Sequence, residues 1–184
     1  MLSTGGVPVS GWVMRRREIP TLKQWVSIDP AKGSSGVAFW EGNKLVEVAV
    51  VKPRGKKGPF YVGDLIVEDR YKAWEAVLEG KQDMIIERGA GGLANVVRAQ
   101  GWITGYIESI FEREGGEPIE VVVSEWRRCI KEAYDVSWPA NRERMKALSV
   151  QLVHAKFGLT VGDDIADAVL LGVAAMRMGL VQVI

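Results

Sequence analysis

The 184-residue chain is 47% hydrophobic and 26% charged with no low-complexity tract, which excludes an intrinsically disordered protein and favours one domain around one core. Its 24 basic and 23 acidic residues leave a net charge of +1, so any nucleic-acid surface must come from where the charges lie rather than from a bulk excess. The single cysteine, Cys129, excludes an intramolecular disulfide, and neither a signal-peptide-like stretch nor a run of about 20 apolar residues is present; the expectation is a soluble, cytoplasmic protein with no membrane partner.

Residues 1–23 mix Gly, Ser and Pro with the triplet Arg15, Arg16 and Arg17 and show no periodicity, so they read as a flexible N-terminal arm, and Met14 as an alternative start. Residues 24–184 read as a single domain. It opens with the strand WVSID (Trp25 to Asp29), followed by the turn-forming PAKGSSG, then VAFW (Val37 to Trp40), a turn at Glu41 to Lys44, and LVEVAVV (Leu45 to Val51). Three strands joined by tight turns predict an antiparallel meander. After the basic loop KPRGKKGPF, Asp64 is placed to cap a helix running to Glu79, with Leu65, Ile66, Trp74, Val77 and Leu78 at helical spacing. DMIIE (Asp83 to Glu87) reads as the fourth strand, Leu93 to Arg113 as a long helix, and EVVV (Glu120 to Val123) as the fifth strand. Helices over Ser124 to Glu132, Asn141 to Phe157 and Asp163 to Met178 close the chain, Pro139 opening the middle one. The order βββαβα, then β and helices, predicts an α/β fold: a mixed five-stranded sheet flanked by helices, the succession of the ribonuclease H-like fold.

Four acids stand where such a fold carries its chemistry. Asp29 ends the first strand at a glycine-rich turn and Glu87 ends the fourth; if those strands are parallel neighbours, their carboxyl ends lie side by side. Asp164 and Asp167 are three apart at the start of the last helix and share a face. Converging carboxylates repel unless a cation neutralises them, and hard oxygen donors suit Mg²⁺, with Mn²⁺ able to substitute. Two such ions about 4 Å apart can activate a water and stabilise the leaving oxygen of a phosphodiester, which points to phosphodiester hydrolysis. Each acid also has an ordinary role: Asp29 before Pro30 starts a turn, and Asp163, Asp164 and Asp167 complement a helix dipole. Asp163 shares a face with Asp167 as well, so Asp163 and Asp164 remain alternatives. Glu87 follows the apolar Met84-Ile85-Ile86 and needs a partner there.

Three segments together resemble the RuvC family of Holliday-junction resolvases, particularly its shorter phage-type members. SIDPAKGSSGVAFW is similar to the family's opening strand, IIERGAGG to the strand carrying its glutamate, and GDDIADAVLLGVAA to its closing helix with acids three apart. The similarity spans about residues 25 to 178, including GWITGYI and SEWRRCIKE. It implies an endonuclease of DNA recombination and repair in a bacterial or phage-infected cell: a homodimer that binds a four-way junction and nicks two opposing strands symmetrically with Mg²⁺. It also implies that Asp29, Glu87, Asp164 and Asp167 are the catalytic metal ligands, two ions per site. Two departures stand out: Arg88-Gly89-Ala90 follows the glutamate, where these resolvases carry a bulky residue that probes the junction, and the N-terminal arm lies outside the pattern.

Lys52, Arg54, Lys56 and Lys57 in the basic loop, with Arg88, Arg98, Arg127, Arg128, Lys131, Arg142, Arg144 and Lys146, are candidates to track DNA phosphates, Arg88 and Arg127 foremost by their nearness to motif positions. For each, a solvated surface charge is the competing role. Trp126 either stacks on a base or belongs to the core; His154 reads as a partly buried structural histidine and Cys129 as inert. The competing functions are another ribonuclease H-like nuclease (acting on RNA:DNA hybrids, terminase-like or YqgF-like) and a non-catalytic DNA-binding module. An actin-like phosphotransferase would need a second domain for which there is no room.

Overall fold

The computed structural model describes residues 21–22, 24–30, 34–52, 76–79 and 119–183. Among them, β1 (Thr21–Leu22), β2 (Gln24–Asp29), β3 (Ser35–Glu41), β4 (Lys44–Val51), β5 (Ala76–Glu79) and β6 (Ile119–Val121) precede the helices α1 (Val123–Tyr134), α2 (Arg142–Phe157) and α3 (Asp163–Arg177), and β7 (Gln182–Val183) follows. The main sheet runs in the order β4-β3-β2-β5-β6. β2, β3 and β4 form the antiparallel meander, while β5 joins β2, and β6 joins β5, in parallel. Thr21 and Leu22, within the stretch read as an arm, pair in parallel with Gln182 and Val183.

A strand buried on both faces needs apolar residues at successive positions, and β2 and β3 supply them: Trp25, Val26 and Ile28 in one, Val37 to Trp40 in the other, are all buried. β4 lies at the sheet margin and mixes exposed and half-buried positions until Val51, which is buried. The polar exception in β2 is fully satisfied. Ser27 donates its hydroxyl proton to the Ala168 carbonyl at 2.7 Å and accepts the Trp40 indole N–H at 2.9 Å, tying both strands to α3. Trp25 stacks on Trp40 with ring centroids 5.2 Å apart and donates its own N–H to the Gly42 carbonyl in the β3–β4 turn.

α3 is the helix that closes this core. Nine of its residues, from Ala166 to Ala175, are buried, because Ala and Gly on its sheet-facing side let it come close. A Cβ placed on Gly172 would lie 2.6 Å from the Trp40 ring and 2.7 Å from the Ser27 hydroxyl, so the glycine is required there. α1 and α2 pack over α3, with Trp126, Ile130 and Val153 buried in the shared core. At about 1.5–3 kcal/mol per fully buried large aliphatic side chain, Leu170, Leu171 and Ile130 are a sizeable part of what holds these layers together.

Several expectations are corrected. The segment 64–79 does not end as a helix: Ala76–Glu79 is a strand, with Val26 opposite Ala76 and Ile28 opposite Leu78. A strand this short is held by the open edge of β2 and carries no periodicity of its own. α2 is opened by Asn141 rather than Pro139; the Asn141 side chain accepts the Arg144 amide at 3.1 Å. His154 is exposed, not partly buried, and Trp126 is wholly within the core. The strand expected at 83–87 and the helix expected from Leu93 to Arg113 lie outside the described residues. Among the described residues no helix is long and apolar enough to cross a membrane.

Candidate metal centre

The glycine-rich turn after Asp29 sets the geometry of the candidate site. Gly36, the second residue of β3, sits opposite Asp29 in the antiparallel register. In place of a side chain it receives the first turn of α3: an added Cβ would lie 1.8 Å from the Asp164 carbonyl oxygen and 2.9 Å from the Ile165 nitrogen. No L-residue with a Cβ fits this approach without moving the helix. The start of α3 is therefore laid across the end of the sheet at which β2 terminates in Asp29. Ser34, just before β3, donates its hydroxyl hydrogen bond to Asp164 Oδ2 and fixes that carboxylate beside the same strand end.

The neighbouring acids on α3 have partners of their own. Asp163 is ion-paired with Lys146 of α2, and the ammonium group holds the Asp163 carboxyl below its ordinary range. Of the two, Asp164 is the one whose carbonyl seats on Gly36 and whose carboxylate is held by Ser34. Asp167, one turn further along α3, has a side chain only 13% exposed. Burial pushes its carboxyl upward, against the opposing pull of the Ser149 hydroxyl and the Arg127 guanidinium, whose nearest nitrogen is 3.8 Å from Oδ2. Its Oδ1 is buried with no hydrogen-bond partner among the described residues. A buried carboxylate oxygen without a donor suits a cation.

Parallel pairing brings a further acid to this edge. Because Ile28 is opposite Leu78, β2 and β5 end side by side, one on Asp29 and the other on Glu79. The sequence reading had given that place to Glu87, which lies outside the described residues. Among the described residues no three acidic, histidine or cysteine side chains converge closely enough to cage an ion by themselves. Ser34, Gly36 and Ser149 were not singled out from sequence, although Ser34 and Gly36 belong to the turn-rich PAKGSSG segment that signalled an unusual chain reversal.

Of the basic candidates, Lys52 follows Val51, whose register partner is Ser35, and so stands exposed at the same end of the sheet as Ser34 and Asp29. Arg128 and Lys131 are exposed on α1. Arg127 has internal partners: its guanidinium carbon lies 5.0 Å from the Trp126 ring centroid and 5.7 Å from that of Trp138. Arg54, Lys56, Lys57 and Arg88 lie outside the described residues. Cys129 is half-buried, and burial raises its thiol above the ordinary value, in keeping with an unreactive side chain.

No protein-family model and no curated protein matches the sequence. Solved structures match in fold. Thermus thermophilus RuvC in complex with Holliday junction substrate superimposes with a TM-score of 0.58 at 16% identity, covering 89% of this chain and 100% of that one. A second T. thermophilus RuvC structure gives 0.53 at 18% identity, covering 88% and 99%. The yeast mitochondrial Holliday junction resolvase Ydc2 gives 0.59 at 11% identity, covering 89% and 84%. The chain therefore has a RuvC-like α/β fold, shared with the resolvase Ydc2.

Proposed function

We propose that this protein is a metal-dependent endonuclease that resolves four-way DNA junctions, acting as a homodimer that nicks two opposing strands symmetrically. The observation that supports the reading is the seating of the Asp164 carbonyl on Gly36, the residue opposite Asp29, which lays the first turn of α3 across the strand end that carries Asp29 in a RuvC-like fold. Asp29, Glu87, Asp164 and Asp167 are the residues we assign to hold two Mg²⁺ ions, with Mn²⁺ able to replace them. When bound, such ions neutralise charge at a phosphodiester and help generate a hydrolytic nucleophile. Ser34 orients Asp164 toward the shared edge, while the Lys146 pairing withdraws Asp163 from it. Asp167 is largely buried, beside Arg127 of α1 and Ser149 of α2. Lys52, Arg54, Lys56, Lys57, Arg88, Arg128 and Lys131 supply the phosphate contacts that hold the junction.

The register puts Glu79 at the end of the strand beside β2, and we assign Glu87 because it lies in IIERGAGG, the segment similar to the family's glutamate strand. The test is cleavage of a synthetic four-way junction, a matched linear duplex and an RNA:DNA hybrid with Mg²⁺ or Mn²⁺, using wild type, Asp29→Asn, Glu87→Gln and Glu79→Gln. Paired symmetric nicks on the junction, lost in Asp29→Asn and Glu87→Gln and kept in Glu79→Gln, are the expected result. Loss in Glu79→Gln alone would move the ligand to β5. Preference for the hybrid or the linear duplex would make the protein a neighbouring nuclease, and absence of metal-dependent cleavage would leave a DNA-binding module.

A further inference from the structure

Arg127 was a candidate phosphate contact, yet its surroundings are those of an internal strut. The guanidinium lies near the faces of Trp126 and Trp138, whose rings meet edge to face with centroids 5.8 Å apart. Trp138 is itself fixed to this residue, donating its indole N–H to the Arg127 carbonyl at 2.7 Å. Only 27% of the Arg127 side chain is exposed, and its Nε is buried without a hydrogen-bond partner among the described residues. Two ring faces hold a planar cation in one orientation, a constraint that a flexible ammonium group would not meet equally. This cation reaches the Asp167 carboxylate, its nearest nitrogen 3.8 Å from Oδ2.

We infer that Arg127 is a positioning residue that acts through Asp167 rather than a contact to DNA, an inference that rests on the metal-centre reading above. The guanidinium holds the Oδ2 side of the carboxylate, which leaves the buried and unpartnered Oδ1 as the oxygen offered to the cation. The spacing of 3.8 Å is longer than a hydrogen bond, so the carboxylate is oriented by charge without having both oxygens consumed. Arg128, the next residue, is exposed and has no such enclosure, which makes it the natural comparison.

The experiment measures four variants, Arg127→Met, Arg127→Lys, Arg128→Met and Asp167→Asn, for single-turnover junction nicking, for the Mn²⁺ concentration at half-maximal rate, and for the Mn²⁺-induced rise in Tm. Junction affinity in EDTA is measured across a salt series. Arg127→Met is expected to slow nicking by at least about tenfold and to reduce the Mn²⁺-induced rise in Tm, as loss of a ligand-orienting partner does. Its junction Kd and salt slope stay within about twofold of wild type, whereas Arg128→Met lowers the salt slope by about 0.9, the value for one lost phosphate contact. Arg127→Lys, which preserves charge and volume and guards against a folding defect in the Met variant, recovers part of the rate. A fall in affinity and salt slope in Arg127→Met matching Arg128→Met would overturn the inference, as would wild-type nicking and metal response in both Arg127 variants. Full nicking by Asp167→Asn would instead sink the metal-centre reading, which separates the two failures.

Discussion

Asp167 and Asp163 stand a turn apart on α3, and their surroundings push them in opposite directions. Burial raises the Asp167 carboxyl, so in the metal-free protein the native state favours its neutral form more than the unfolded chain does. An acid raised on folding adds stability that is fully present below its unfolded value and is lost as pH rises through the folded one. Asp167→Asn, which mimics the neutral form, should therefore raise the metal-free Tm at pH 7 while abolishing metal-dependent cleavage. Thermal scans from pH 4 to 8 in EDTA check this, and a lower Tm for Asp167→Asn at pH 7 would contradict it. Asp163 has the opposite sign. Lys146 holds its carboxyl down, so its contribution is present above the ordinary carboxylate range and fades as pH falls through the lowered value; with both side chains more than a third exposed, water screens most of it.

Among the elements, the first turn of α3 is the piece on which the candidate site depends. Gly36→Ala would drive a Cβ to within 1.8 Å of the Asp164 carbonyl, and relief requires α3 to lift from the sheet. The expected result is a loss of about 1–3 kcal/mol in urea unfolding together with loss of cleavage, since Asp164 moves away from Asp29 with the helix. Asn141→Ala serves as a contrast. It removes the cap of α2 and costs about 1 kcal/mol, yet its side chain holds the Arg144 amide and none of the acids, so the rate of nicking should stay unchanged. Helices α1, α2 and α3 were legible in the sequence because each is a run of residues that tolerate a helix, bounded by turn-forming residues, and both are local properties. β5 was not, because Ala76–Glu79 becomes a strand only by pairing with β2 and β6, neither of which is near it in sequence. His154 was misplaced for a related reason: apolar neighbours along a helix do not say which face the histidine occupies.

At the scale of the whole molecule, a chain with a net charge of +1 can grip a phosphate backbone only through local concentration of its basic residues. Lys52 stands exposed at the acidic edge of the sheet and Lys131 on α1, so replacing either by Ala should weaken junction binding and lower the salt slope by about 0.9. Binding isotherms between low and moderate salt read this directly; slopes equal to wild type would remove those residues from the DNA path. The sequence by itself determined the meander, the three closing helices and the succession of strand-end and helix acids, because alternation, helical periodicity and turn chemistry are local properties. Only the tertiary structure decided that Asp164 is held by Ser34 while Asp163 pairs with Lys146, that a second strand end beside Asp29 is Glu79, and that Arg127 lies against two tryptophans. Each of these depends on contacts between different elements of the fold, and packing of that kind leaves no periodic trace in the sequence around either partner.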